Sequence, residues 1–378
     1  METASALAPL NTSTSFRPHQ SHELFDRSQL KQCQDAVNGW WSSYESNTPS
    51  VVVMTYATDP TRYWLLGLSA ALHSIPLILV GRGRKWTGLT SKYRGVRRAL
   101  QTIGDLNLSK TAILVADADD TVVGNAPTES VIREFERLAS NDSNRVLVAG
   151  ECNSYPLCYQ HLYAKHESFN RCLTRSRSCY PNGGAYAAGL KTISRFVDSI
   201  LINMGALEGV ERGDDQSAIH RMYLGSRFVE TSKVTLKVDD ASKVFNTLFA
   251  CAGSRWERGV GRPCKGRDRE TRPYDPLSSL RAVSEGLKIV WNESTLPFVF
   301  HANGKSHRLK LEDAFLPLRS ALGLSNLQDG RPLRALPSRL LAHKILLIDD
   351  ASSPGCVETH LENVLRAAQP KNNFRDLG

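Results

Sequence analysis

An α/β fold with a mostly parallel central sheet flanked by helices is expected for this chain, on two observations. Apolar runs of strand length recur four times between residues 50 and 150, and segments with helical spacing of apolar residues separate them. Strands that alternate with helices of about ten or more residues form βαβ units, whose crossovers lay the strands side by side in parallel.

Residues 1–21 are rich in Ser, Thr and Pro without any period, whereas residues 22–46 carry apolar residues at helical spacing. A leader and one helix (1–48) are therefore expected ahead of the core. Ser50–Tyr56 (SVVVMTY) is continuous and β-branched, as a strand covered on both faces should be. Asp59 offers an N-cap with Pro60 at the first helical position, for a helix running to about His73. Pro76–Val80 is the second strand, Tyr93–Ile103 a helix, Thr111–Ala116 the third strand, Thr128–Ala139 a helix and Arg145–Gly150 the fourth strand.

Beyond residue 150 the pattern loosens, leaving helices at Leu190–Met204 and Asp214–Leu224 and strands at Val234–Val238, Ile289–Trp291 and Phe298–His301. Ser254–Arg272 reads as a loop dense in Arg and Gly. After about Leu311 the signal fades until the strand Lys344–Asp349, which opens either a loose extension or a further α/β unit. The expected division is 1–48, a domain at 49–310 and an extension at 311–378.

With 378 residues, of which 41% are hydrophobic, 8% aromatic and 22% charged, the chain holds enough apolar material for a large core, and dominant disorder is excluded. The net charge of +9 suits a phosphate-bearing partner, but no nucleic-acid-binding motif accompanies it, and none is expected as a partner. The apolar stretch Trp64–Gly81 is broken by His73 and Pro76, so it reads as helix then strand and no membrane span is expected. Eight cysteines contain no CxxC pair, which argues against structural zinc; reduced thiols and disulfides both stay open. The N-terminus lacks the basic start and apolar segment of a secretory signal, so the protein is either not secreted or starts upstream. Four N-x-S/T sites, at Asn11, Asn107, Asn141 and Asn292, do not decide the compartment.

Ligands of open parallel sheets bind beyond the carboxyl ends of the strands. The third strand ends in Asp117-Ala118-Asp119-Asp120, a crowd of carboxylates best tolerated with a cation between them. Oxygen ligands of this kind suit Mg²⁺ or Mn²⁺, which would hold a diphosphate; a solvated turn is the competing explanation. Gly213-Asp214-Asp215-Gln216 opens a helix, where Asp214 serves either as a cap or, with Asp215, as a facing carboxylate of the site. Phe298–Lys305 (FVFHANGK) delivers a histidine and then a Gly-Lys from a strand end. Tyr180–Gly184 (YPNGG) reads as a turn whose glycines admit a ligand close to the backbone. Gly81-Arg82-Gly83-Arg84 fails as a dinucleotide fingerprint, because it follows the second strand and opens no helix at once.

In order and spacing, VVVMTYAT (51–58), LVGRGRKWTG (79–88), ILVADADDTVV (113–123), LVAGECNSYP (147–156), YPNGGAYAAG (180–189), GDDQ (213–216), VDDASKVFNTL (238–248) and FVFHANGK (298–305) resemble the glycosyltransferase domain of the procollagen-lysine hydroxylase/glucosyltransferase family, over roughly residues 50–310. The resemblance implies a GT-A fold binding a nucleotide sugar with a divalent metal, Mn²⁺ or Mg²⁺. It implies a hexosyltransferase that moves glucose or galactose from a UDP-sugar to a protein or glycan hydroxyl, with retention of configuration, in the endoplasmic reticulum or Golgi lumen. By the same resemblance Asp117, Asp120 and His301 are the metal ligands, and Thr55 and Trp86 contact uridine. Asn182, Asp214, Asp215 and Gln216 lie on the sugar and catalytic side, and Gly304 and Lys305 lie by the leaving diphosphate. The sequence departs from the family at Asp119 and Tyr155, where the family has aromatic residues, at Ala302, where it has glycine, and at Arg94-Gly95, read as the family's Gln-Lys.

Two other readings compete. Asp117-x-Asp119-x-Thr121 also fits the first motif of haloacid-dehalogenase-type phosphatases, with Asp117 as nucleophile and Asp119 as acid/base. The altered positions equally allow a sugar- or nucleotide-binding module without turnover.

Overall fold

The computed structural model describes residues 27–44, 49–59, 62–106, 108, 111–124, 126, 128–139, 144–151, 163, 166–167, 171–172, 178–207, 213–225, 234–247, 280–283, 288–291, 297–302, 337–349 and 355–367. The strands are β1 (Val51–Tyr56), β2 (Leu77–Val80), β3 (Ala112–Asp117), β4 (Thr121–Val123), β5 (Arg145–Glu151), β6 (Tyr180–Gly189), β7 (Thr235–Asp239), β8 (Phe245–Thr247), β9 (Leu280–Val283), β10 (Lys288–Trp291), β11 (Val299–His301), β12 (Lys344–Ile348) and β13 (Cys356–His360). The helices are α1 (Arg27–Ser42), α2 (Trp64–Leu72), α3 (Leu89–Thr102), α4 (Thr128–Ala139), α5 (Leu190–Ala206), α6 (Asp215–Tyr223), α7 (Ser338–Leu341) and α8 (Leu361–Ala367).

Eight strands make one central sheet in the order β13-β12-β2-β1-β3-β6-β5-β7. The pairs β12/β2, β2/β1, β1/β3 and β5/β7 are parallel, and β6 runs antiparallel between β3 and β5. The expected mostly parallel α/β sheet is thus observed. Both faces of the sheet are covered, and β1 is buried throughout: Val51 and Val53 pack with α2, Phe298 and Leu361, while Val52 and Met54 pack with Trp40 of α1, Tyr93 of α3 and Phe196 of α5. A separate small sheet, β4-β11-β8, lies on the first face.

Four elements differ from expectation. The second helix starts at Trp64 with Tyr63 as its N-cap, and Asp59 lies ahead of it, its carbonyl accepting from the Arg62 N–H at 3.1 Å. The third begins at Leu89, a turn earlier than its apolar period indicates, because Gly88 takes φ +103° and breaks the chain direction there. Tyr180–Gly184 is no turn but the first half of the buried strand β6. Gly184 sits where the His301 ring leaves no room for a side chain, and the sheet shifts register at Val148/Ala149 opposite. Finally, the late strand β12 is no loose extension, since it pairs with β2 from Ile345 to Ile348 inside the central sheet. The Arg-rich segment 254–272 lies outside the described residues.

Disulfides join Cys33 of α1 to Cys356 of β13, and Cys172 to Cys179. The histidine between α7 and β12, His343, is 8% exposed, and burial lowers its pKa from 6.5 to about 4. The unfolded chain therefore takes up this proton first as pH falls, so stability is lost between about pH 6.5 and 4 and no further below. The shift corresponds to about 3 kcal/mol. Urea titrations across this range should show wild type losing that much more stability than His343→Gln; parallel pH profiles for the two would rule it out.

Candidate metal and donor site

The site gathers where β3 ends. Asp117 is the last residue of β3, Asp120 the last before β4, and β4 pairs antiparallel with β11 so that His301 lies opposite Thr121. Ala302 N–H donates to the Asp120 carbonyl at 2.7 Å and extends that pairing. His301 Nε2 thus comes within 3.3 Å of Asp120 Oδ1 and 3.7 Å of Asp117 Oδ2. One ligand atom from each of the three side chains falls within 4.8 Å of the others.

These residues fit a divalent cation. Asp120 Oδ1 is buried and accepts no well-formed hydrogen bond, a costly state for a carboxylate oxygen unless a cation meets it. Burial lowers the pKa of His301, yet Asp120, Asp117 and Glu151 outweigh it and leave it raised. The field that favours a proton on this ring equally favours a metal ion between it and the two carboxylates. Room for the imidazole comes from Gly184 of β6, where an added Cβ would lie 1.8 Å from His301 Cε1.

Asp117 divides its carboxylate between two tasks. Oδ2 faces His301, and Oδ1 accepts from Lys92 Nζ at 2.5 Å. Lys92, buried on α3, also lies 3.5 Å from Asp215 Oδ2, which accepts from the Tyr93 hydroxyl at 3.0 Å. Burial disfavours the ammonium, but Asp117 and Asp215 outweigh it and hold its pKa above the usual lysine value. Lys92→Met would leave two carboxylates facing each other without their cation, and should cost about 2–4 kcal/mol in urea unfolding of the metal-free protein. A midpoint equal to wild type would show that the pair is not sustained by this lysine.

A second group of polar side chains lies beside the first. Glu151, the last residue of β5, accepts from Asn182 Nδ2 at 3.0 Å and from Gln216 Nε2 at 2.6 Å. Gln216 Oε1 accepts from the Gly183 N–H at 2.6 Å, and Asn182 Oδ1 from the Gly184 N–H at 2.8 Å. Both amides are thereby fixed in one orientation against the glycine backbone of β6. Asp214 caps α6, accepting from Ser217 N–H at 2.6 Å, while Asp215 turns inward to Lys92.

The remaining expected residues are placed as follows. Thr55 is buried at the end of β1 with its hydroxyl donating to the Ala116 carbonyl at 2.8 Å. Trp86 is 48% exposed, its ring 5.9 Å from that of Tyr56, the strand neighbour of Asp117. Gly304 and Lys305 lie outside the described residues, as do Tyr155 and Asn303. Lys92 and Glu151 were not anticipated. Lys92, rather than Arg94-Gly95, is the basic residue of α3 at the site, and it sits on the helix's apolar stripe with Leu89, Tyr93, Val96 and Leu100. That misplacement is its signal. Glu151 had the signal already applied to Asp117: a carboxylate at the carboxyl end of a buried strand.

No family model matches the chain, and no curated protein matches it. Solved structures similar to it include a glycosyltransferase involved in the glycosylation of the major capsid of PBCV-1, at 11% identity, covering 71% of this chain and 100% of that one with a TM-score of 0.38. The galactosyltransferase LgtC, in complex with donor and acceptor sugar analogues, is 11% identical over 67% of this chain and 87% of its own, with a TM-score of 0.31. The bifunctional glycosyltransferase WbbM is 11% identical over 68% of this chain and 46% of its own, with a TM-score of 0.33. The overlap is loose in each case.

Proposed function

We propose that the protein is a metal-dependent glycosyltransferase of GT-A type that moves a hexose, glucose or galactose, from a UDP-sugar to a hydroxyl acceptor such as a hydroxylysine-linked or other protein glycan. The observation that carries this reading is the convergence of Asp117, Asp120 and His301 at the carboxyl end of a parallel strand, with ligand atoms within 4.8 Å of one another. Mn²⁺ or Mg²⁺ bound there would supply positive charge to the leaving diphosphate.

The chain's own groups set the rest. Lys92 pairs with Asp117 Oδ1 while Asp117 Oδ2 faces His301, and it links Asp117 to Asp215. Asp215 and Gln216, at the N-terminal turn of α6, are the groups proposed to meet the transferred sugar, with Asn182 and Glu151 fixing Gln216 from behind. Asp214 holds that turn in place. Thr55 and Trp86 flank the proposed uridine end, and Gly304 and Lys305 are assigned to the diphosphate by resemblance. The two disulfides support an oxidising compartment, and a lumenal location is proposed accordingly.

The phosphatase alternative needs Asp119 at the centre of the chemistry. Instead its carboxylate pairs with Arg62 at 3.6 Å, both side chains partly in solvent, outside the Asp117–Asp120–His301 cluster. The test is release of UDP from a panel of UDP-sugars, with Mn²⁺ and with EDTA, beside a generic phosphatase substrate. Metal-dependent release from one or two donors is expected. UDP binding without release from any donor and acceptor pair would leave a binding module, and phosphatase turnover would overturn the reading.

A further inference from the structure

The proposed uridine end depends on a loop that the sheet's late strand holds in place. Between β2 and α3 the chain passes through Gly81 at φ +79°, Gly83 at +74° and Gly88 at +103°, and presents Trp86 to solvent. Two main-chain bonds start the loop: Gly81 N–H to the Ile348 carbonyl at 3.0 Å and Gly83 N–H to the Thr58 carbonyl at 2.7 Å. The residue after Ile348 is Asp349, buried, with φ +60°. A non-glycine residue in this region carries strain that its surroundings must sustain.

Asp349 grips Arg84 twice. Its Oδ1 lies 2.9 Å from Arg84 Nη2, and its carbonyl accepts from Arg84 Nε at 3.3 Å. Its other oxygen, Oδ2, lies 2.5 Å from Arg98 Nη2 on α3, the helix that carries Lys92. One carboxylate thus clamps the loop at Arg84, two residues before Trp86, to the helix at the loop's far end. Tyr56 fills the space between: an added Cβ at either Gly81 or Gly95 would fall 2.5 Å from its ring, and Trp86 leans on it.

We propose that Asp349 is a positioning residue for donor binding, holding the Gly81–Gly88 loop through Arg84 so that Trp86 stands as a preformed stacking wall for the nucleobase. The inference rests on the donor reading above and adds to it a residue near the other end of the chain. A flexible loop would have to be ordered on binding, so the clamp acts on donor affinity and not on the chemical step. A purely structural ion pair would lower thermal stability without separating those two.

The experiment compares wild type, Asp349→Asn, Arg84→Gln and the double variant, using UDP with Mn²⁺ as probe. Each single variant should weaken UDP binding about 10-fold and raise the donor KM to match, with kcat at saturating donor within about twofold. The double variant should be no worse than either single one, since both cut the same link. Backbone amides of residues 81–88 should exchange faster in Asp349→Asn without nucleotide, and the quenching of Trp86 emission by UDP, read against Trp86→Phe, should fall. Unchanged exchange in 81–88 together with unchanged UDP affinity overturns the proposal, as does a loss of kcat at unchanged KM. If the wild-type protein binds no UDP, the donor reading falls and takes the donor clause with it, while amide exchange still decides whether Asp349 holds the loop.

Discussion

Gly184→Ala should abolish metal-dependent turnover while leaving most of the fold intact. A Cβ at this position would lie 1.8 Å from His301 Cε1 and 2.4 Å from Nε2, so the imidazole cannot stay where Asp117 and Asp120 face it. His301 itself cannot retreat cheaply, being buried on β11, which is paired with β4 on one side and β8 on the other. The collision is therefore resolved by rotating the ring out of the cluster or by pushing β6 away from it, and either removes one of three ligands. Mn²⁺ affinity should fall about 10–100-fold, as it does when groups that orient metal ligands are lost. Overpacking should cost a further 1–3 kcal/mol or so in urea unfolding. Gly189→Ala, at the other end of the same strand, has nothing within 4 Å of the added Cβ and should be neutral in both measurements. Wild-type Mn²⁺ affinity in Gly184→Ala would show that His301 is not held in the cluster.

Gly184 also shows why the site was only partly legible in the sequence. Strand ends, where an open parallel sheet puts its ligands, drew attention to the Asp117–Asp120 carboxylates and to the strand carrying His301, while the choice of Asp117, Asp120 and His301 as ligands came from the resemblance. The run around Gly184 was misread as a turn, because Gly-Gly after Pro-Asn is turn chemistry when judged locally. In the fold Gly184 answers a tertiary demand, the buried ring of His301, and nothing within five residues of it announces a histidine more than a hundred positions away. Lys92 was hidden differently. A lysine in a helix reads as solvated, and only its place on the apolar stripe marks it as a buried charge needing partners. Asp349 lay in a stretch with weak signal on both sides, and β12 joins the sheet beside β2 only through long-range pairing. Alternation of strands and helices therefore gave the sheet, strand ends gave the carboxylate cluster, and the groups that orient it are brought together only by the fold.

The second large effect separates two adjacent carboxylates. Asp120→Asn should lower kcat/KM for UDP-sugar about 1,000-fold, near 4 kcal/mol of transition-state stabilisation, whereas Asp119→Asn should stay within about threefold of wild type. The difference follows from where each charge is spent. Asp120 Oδ1 is buried and faces His301 Nε2 at 3.3 Å, so its negative charge is directed into the cluster, toward the ring and a cation held there. Its fold contribution passes through its main-chain carbonyl, which accepts from Ala302, and the substitution leaves that bond in place. Asp119 points to Arg62 at 3.6 Å with both side chains partly in solvent, where removing an ion pair changes little. In a phosphatase of the competing kind the order would invert, because there Asp119 must pass the proton. Loss of activity in Asp119→Asn with activity kept in Asp120→Asn would therefore overturn the metal cluster as the seat of the chemistry, whatever substrate is finally found.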